Sequence, residues 1–308
     1  MNTPSKATPL LPLLRLARNL FKGTKIQHLK LTSLVYSYLV KKVFSNADTL
    51  VVNFRGQDLV VEGRDITLLP TLIDQTYEKY EIDWFLRLIT TNSSKKLFID
   101  VGANIGIYAT LATRYAQNNV YCIAIEPDSR NLVKLETNIA KNGLTDRVRI
   151  LPCAVGVVAA DLSENSERKF FISQYGATSR LASLEENSEN SNVMFVQVLT
   201  LSQVIKNFYN DTYDLVVIKV DVEGFEPEVL VSGFEFIRRI KPFLLVEFST
   251  DSSREYTVLW TLDFLTQLFD IYSKVEVIER NQNCLRIYSP ADFLEIAPSK
   301  LVNLIFTP

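Results

Sequence analysis

The chain has 308 residues, 47% hydrophobic and 22% charged, with only 10 Gly and 11 Pro, which fits a globular protein and excludes collagen-like or Pro-rich linker classes. Three cysteines, Cys122, Cys153 and Cys284, form no C-x-x-C pair and are expected as buried free thiols in a reducing compartment. The net charge of -2 hides an asymmetry: residues 1–47 carry eight Lys or Arg and no acid, which leaves 25 bases against 35 acids in the rest. An acidic body is a poor grip for a phosphate backbone, so no nucleic-acid partner is expected, and the basic head implies its own partner or location.

In chain order, residues 10–25, "LLPLLRLARNLFKGTK", place Leu13, Leu16, Ala17, Leu20 and Phe21 on one helical stripe and Arg15, Arg18, Lys22 and Lys25 on the other face. A second helix is expected over about 30–44. Residues 1–47 are therefore read as a basic amphipathic extension. One reading is a peripheral membrane-surface contact through residues 10–44. The other is a helix pair packed on the body or on another subunit, which allows an oligomer. The apolar part of "LKLTSLVYSYLVKKVF" is too short to span a bilayer and resembles no signal peptide, so a cytoplasmic, membrane-associated chain is expected. His28, the single histidine, falls in this head and is expected at the surface.

Residues 48–76 predict a β-hairpin around "RGQD" followed by a linker, and 77–90 an amphipathic helix. From Leu97 the chain alternates strand and helix: "LFIDVG", "NIGIYATLATRYA", "VYCIAIEP", then a helix from Asp128 as N-cap to Gly143 as C-cap. The strand "RVRILPCAVG" follows, then "DLVVIKVD", the helix "PEVLVSGFEFIRR", "KPFLLVEFS" and a helix around 254–269. "IYSKVEVIE" and "NCLRIYS" read as a closing hairpin that supplies one antiparallel strand. This rhythm means βαβ units and a mostly parallel, doubly covered sheet over 77–308. Residues 159–192, rich in Ser, Asn and Glu, break it and are read as an insertion, either a substrate lid or a plain surface loop.

The chemistry gathers at strand ends. In "FIDVGANIG" the pattern is Asp-x-Gly-x-x-x-Gly, with Asn104 and Ile107 where a dinucleotide fold has its second and third glycines. Gly102 lets the backbone turn sharply, and Gly106 lets a ligand or a strand approach the helix. Glu126 stands at the end of the next strand, where a carboxylate can accept both hydroxyls of a ribose. A ribose-bearing ligand without pyrophosphate, next to the negative Asp100, points to S-adenosylmethionine. A nicotinamide dehydrogenase fails on the glycine spacing. A base methyltransferase of nucleic acid fails on "DVEG", which stands where Asp/Asn-Pro-Pro-aromatic would.

The segments "YEKYEIDWF", "FIDVGANIGIYA", "AIEPD", "NIAKNGL", "VLTLSQV" and "IKVDVEGFEPEVLVSG" resemble the FkbM-type methyltransferases over residues 75–250, in the family's order. Ser202 departs from the family, which has Asp there. The resemblance implies a Rossmann-like class I methyltransferase sheet and O-methylation of a hydroxyl on a sugar, glycolipid or natural product. By the same resemblance Asp100, Gly102 and Asn104 line the methionine end of the cofactor, Glu126 holds the ribose, and Pro127, Cys153 and Ala154 flank the adenine. Asp221 and Glu223 then face the methyl, as a small-molecule or glycan acceptor requires.

A hydroxyl nucleophile needs a proton acceptor. With no histidine near the sheet, the candidates are Asp221 first, Glu223 second, then Lys219 or a tyrosine. Lys219 and Asp221, two apart on a strand, share a side and form an ion pair. The alternative is that this cluster only positions the cofactor and caps the next helix. Asp221 and Glu247 end adjacent strands and could hold Mg²⁺, but cation-dependent O-methyltransferases usually have Asn where Phe248 follows Glu247, so no metal is expected. A non-catalytic cofactor-binding module acting through the basic head is the rival function.

Overall fold

The computed structural model describes residues 49–63, 65, 67–91, 94–116, 119–158, 167–172, 179–181, 192–249, 262–278, 284–296 and 301–308. The basic extension, its membrane contact and His28 lie outside the described residues, as does most of the 159–192 insertion. Among the described residues no helix is long and apolar enough to cross a membrane.

The first hairpin pairs β1 (Thr49–Phe54) with β2 (Gln57–Glu62) around Arg55 and Gly56, whose φ of 45° and 77° suit a tight two-residue turn. A short helix, α1 (Leu68–Ile73), occupies what reads as linker, and α2 (Lys79–Thr90) follows. Then come β3 (Lys96–Val101), α3 (Ile107–Tyr115), β4 (Val120–Ile125), α4 (Ser129–Lys141) and β5 (Val148–Leu151). Asp128 caps α4 by accepting from the Arg130 amide, and Gly143, at φ 67°, takes the left-handed position just past Asn142.

The expected third strand is split. Pro152 has no amide to donate, so β5 ends at Leu151 and the chain leaves the main sheet. Its continuation, β6 (Ala154–Val155), joins β7 (Glu167–Phe171), β8 (Arg180–Leu181) and β9 (Val193–Leu199) in a second, four-stranded sheet. The insertion thus contributes strands, not loop alone.

Next are α5 (Leu201–Phe208), β10 (Leu215–Val220), α6 (Glu226–Ser232) and α7 (Phe234–Ile240). The single helix read over 227–239 breaks at Gly233, where a Cβ would lie 2.7 Å from Leu201 of α5. The chain ends with β11 (Phe243–Ser249), α8 (Leu262–Ile271), β12 (Lys274–Ile278), β13 (Cys284–Ile287), α9 (Pro290–Ile296) and β14 (Leu301–Thr307). The main sheet runs β13-β12-β14-β11-β10-β3-β4-β5. From β11 to β5 every pairing is parallel. The β12–β13 hairpin forms as expected, but the strand antiparallel to β11 is β14, wedged between β11 and β12.

All six residues of β3 are buried, as a strand covered on both faces requires. Phe98 and Val217 pack under α2 and α3 with Phe85, Ala109 and Ala112, in a core that also takes Leu50, Val52 and Leu59 of the hairpin. Ile99, Ile218 and Val246 pack on the opposite face with Val204, Leu230 and Leu268. Buried Asn138 joins hairpin, helix and glycine turn. Its side chain accepts from the Val60 amide at 2.6 Å and donates to the Ile105 carbonyl at 2.8 Å. Cys122 and Cys153 are buried free thiols, whereas Cys284 is exposed because it lies on the edge strand β13.

Candidate active site

The carboxyl ends of β3, β4 and β10 open into one cleft of about 370 Å³, which Glu247 at the end of β11 also lines. Because β3 and β10 are hydrogen-bonded neighbours, Lys219 stands directly beside Asp100 and the two strand ends share a crevice. The turn after β3 is closed by Gly102 and Ala103, whose amides both donate to the Ile125 carbonyl. Gly102 sits at φ 83°, and a Cβ there would lie 1.8 Å from the Asp221 carbonyl oxygen. Its glycine character therefore lets the β3 turn touch the β10 turn.

One half of the cleft is charged. Glu78, Asp100, Lys219, Asp221, Glu223 and Glu247 line it together with Tyr77 and Tyr108. Lys219 Nζ donates to Asp221 Oδ2 at 2.7 Å and lies 4.8 Å from the centre of the Tyr108 ring. Burial alone would lower the Lys219 pKa, but Asp221, Glu78 and Asp100 together raise it, so the ammonium stays charged. Asp100 is 1% exposed, and neither of its oxygens has a partner in hydrogen-bond geometry. Burial pushes it up to about 7; Lys219 opposes this, Asp221 and Glu78 add to it, and the nearby Ala109 amide offsets it slightly. Glu247 is pushed to about 10 by burial and by Asp221 and Glu223.

The turn after β10 is the one that "DVEGFEP" implies. Glu223 and Gly224 adopt φ of 58° and 104°, and buried Glu226 holds the loop by accepting from the Val222 and Gly224 amides at 3.0 Å. Glu226 and Pro227 open α6 as expected. Asp221, Glu223 and Glu247 can each bring one carboxylate oxygen within 4.8 Å of the other two, a spacing that could accommodate a hard cation.

The other half is apolar. Ile125, Pro127, Cys153, Ala154, Val155, Phe170, Leu181, Val222 and Phe225 line it. Glu126 stands between the halves. Its Oε2 accepts from the Asn104 amide at 2.8 Å and its Oε1 from the Asp128 amide at 2.9 Å, and burial raises it to about 7. Phe170 and Leu181 come from the small sheet, which is fastened at two points. Arg168 of β7 pairs with Glu228 of α6, and Ser179 donates to Asp128 at 3.1 Å.

Of the residues expected at the site, Asp100, Gly102, Asn104, Glu126, Pro127, Cys153, Ala154, Lys219, Asp221 and Glu223 all line this cleft. Gly106 does not. At φ 85° it starts α3, and a Cβ there would meet Leu135 of α4 at 2.5 Å, so it serves helix packing and not ligand approach. Asp221, Glu78 and Asp100 favour the charged form of Lys219, which disfavours it as a proton acceptor. Ser202 has a structural job: its hydroxyl donates to the Ser232 carbonyl at 2.8 Å, tying α5 to the end of α6. Sequence reasoning missed Tyr77, Glu78 and Tyr108, and the wall from Phe170 and Leu181. Tyr77 and Glu78 were signalled only by "YEKYEIDWF", which reads as a plain helix start, and Tyr108 only by its place in the helix after the glycine turn.

Comparison with known proteins places the chain. The model of the methyltransferase FkbM domain matches residues 100–283, more than half of the sequence. No curated protein matches. Among solved structures, a methyltransferase FkbM from Methylobacillus flagellatus KT is 18% identical with a TM-score of 0.40, over 79% of this chain and 54% of that one. This chain thus spans about half the length of that protein. Precorrin-6y C5,15-methyltransferase from Geobacter metallireducens GS-15 is 12% identical with a TM-score of 0.36, over 75% of this chain and 88% of that one. The N-terminal domain of human METTL16, solved in complex with SAH, is 14% identical with a TM-score of 0.41, over 89% and 80%. From the family match, the chain belongs to the FkbM family of S-adenosylmethionine-dependent methyltransferases.

Proposed function

We propose that this protein transfers the methyl group of S-adenosylmethionine to a hydroxyl of a sugar, glycolipid or natural product. The observation that carries the reading is the cleft itself, where an apolar slot, a ribose-height carboxylate and a carboxylate-rich end follow one another over β5, β4 and β3–β10. The donor set suits the cofactor. Cys153, Ala154, Phe170 and Leu181 offer an apolar slot for adenine. Each Glu126 oxygen retains acceptor capacity beyond its one backbone amide, enough for ribose hydroxyls. Asp100 is a buried acceptor with neither oxygen bonded, beside a turn that lacks the G-x-G-x-x-G cradle a pyrophosphate needs. When bound, the cofactor supplies an electrophilic methyl on a cationic sulfonium.

The protein's part is to align the acceptor, keep water out and take a proton. Lys219 is held charged and Glu247, at about 10, is held protonated near neutrality, so neither accepts that proton. Asp221 is the proposed base, with Glu223 next to it in the same cleft. Calorimetry with S-adenosylhomocysteine tests the cofactor, and absence of binding defeats the proposal. A screen of hydroxylated small molecules and glycans for methyl transfer tests the acceptor class; transfer to amines alone would defeat the O-methyl assignment. We propose further that residues 10–44 contact membrane surfaces; equal liposome sedimentation with and without residues 1–47 would refute this.

A further inference from the structure

Three acids compete for one buried lysine at the charged end of the cleft. Lys219 donates to Asp221 Oδ2 at 2.7 Å, while Glu78 and Asp100 attract the same ammonium through space. Asp100 is also its direct neighbour across the β3–β10 ladder. Charge alone does not choose among three carboxylates of one sign, so geometry must.

Tyr108 touches both sides of that choice. It is the second residue of α3 and is 3% exposed, and the Phe85 ring of α2 meets it edge-on with centroids 5.2 Å apart. Lys219 Nζ lies over the tyrosine ring, 4.8 Å from its centre. Such a contact is strongest away from water, and Lys219 is only 4% exposed. At its far end the same ring donates its hydroxyl to Glu78 Oε2 at 2.6 Å. An oxygen engaged there has less acceptor capacity left for the lysine. The backbone is built for this bond. Glu78 adopts φ 36° and ψ 47°, a left-handed conformation that costs a non-glycine residue roughly 1–3 kcal/mol, and its side chain does not cap α2.

We propose that Tyr108 is a positioning residue for methyl transfer: by holding Glu78 off Lys219 it keeps the lysine on Asp221. With Oδ2 fixed on Lys219, the Asp221 carboxylate has one direction in the cleft and keeps Oδ1 for the proton of the acceptor hydroxyl. The inference rests on the reading of Asp221 as the base and adds to it the residue that directs that base.

The test is nuclear magnetic resonance on the full chain, with ¹⁵N in the lysine ammonium groups and ¹³C in the carboxylates. Coupling across the hydrogen bond names the partner of Lys219, and Lys219→Arg identifies its signal. The parent should couple to the Asp221 carboxylate carbon and not to that of Glu78. Tyr108→Phe keeps the ring against Phe85 and releases Glu78 Oε2. It should reduce the Asp221 coupling about twofold or more and bring in a coupling to Glu78, as the lysine divides between two partners. Glu78→Gln added to Tyr108→Phe removes the competing charge and should return the Asp221 coupling to the parental value, a rescue that a merely structural role for Tyr108 would not give. An undiminished Asp221 coupling in Tyr108→Phe would overturn the proposal, as would a double variant that stays as low as Tyr108→Phe alone. No methyl transfer enters this test. Its failure is therefore distinct from failure of the base assignment, which the turnover of Asp221→Asn decides.

Discussion

Glu126 at the end of β4 and Asp100 at the end of β3 are both buried carboxylates, raised to about 7, that line one cleft. Glu126 is braced by two backbone amides, whereas neither Asp100 oxygen is bonded. The β4 end is thus built before any ligand arrives, and its carboxylate has a fixed direction for neutral hydroxyls. The β3–β10 end is left electrostatically incomplete, an arrangement that favours a positively charged group. A cofactor with a sugar in its middle and cations at its far end fits both conditions.

The sharpest break should come from Gly102→Ala. Its Cβ would lie 1.8 Å from the Asp221 carbonyl oxygen, at φ 83°, and neither backbone can yield without opening β3 from β10. We expect a loss of about 4 kcal/mol or more in urea unfolding, or no folded protein. Gly143→Ala, with no atom within 4 Å of its Cβ, should cost only about 1 kcal/mol. Similar losses at both glycines would mean that the close approach of the two turns is not what requires glycine.

Asp221→Asn comes next. It should lower kcat by about 10²- to 10⁴-fold while S-adenosylhomocysteine affinity changes little, because the proposed base acts on the acceptor. Unchanged turnover would move the role to Glu223. At the braced end Glu126→Gln should weaken S-adenosylhomocysteine by about 10- to 100-fold, since an amide has one acceptor oxygen where the carboxylate has two and its NH₂ opposes a backbone N–H. An unaltered affinity would remove Glu126 from the ribose.

Much of the braced end was legible in the sequence, and the incomplete end only in part. Glu126 follows an apolar strand and precedes an N-cap, so its height in the sheet can be counted from sequence. The Lys219–Asp221 pair follows from the two-residue period of a strand. Glu78 was hidden because an acid ahead of an amphipathic helix looks like an ordinary helix start, and only the left-handed backbone turns it into the cleft. The place of β14 was hidden for a related reason. A strand's neighbours depend on contacts far away in sequence, and here the last strand slides between β11 and β12.

The difference between the ends can be titrated. Folded, unliganded protein holds the Asp100 proton up to about 7, while the unfolded chain releases it near 3.8. Between those values the folded state binds more protons, so this group's contribution to stability falls as pH rises and levels off above about 7. Binding an ammonium requires the charged form. S-adenosylhomocysteine affinity should therefore drop as pH falls through 7, by at most about tenfold per pH unit for each group that must ionise. Asp100→Asn should flatten part of that slope, and the slope that remains belongs to Glu126 and Glu78, which burial also raises. A profile identical to the parent's would show that Asp100 is not linked to binding.

The smallest effect is expected where the small sheet meets the braced end. Ser179 donates to Asp128, the cap of α4, whose amide in turn braces Glu126. Burial alone would raise Asp128, but the Arg130 side chain and amide hold it below its ordinary value, so the carboxylate stays satisfied without the serine. Ser179→Ala should cost only about 0.5 kcal/mol and shift S-adenosylhomocysteine affinity about twofold. Phe170→Ala removes a buried ring from the apolar wall and should cost about 3 kcal/mol with a larger loss of affinity. The ratio of the two effects measures how the wall acts. If Ser179→Ala matched Phe170→Ala, the wall would work by tethering Asp128; a clear excess for Phe170 means that it works by covering the adenine slot.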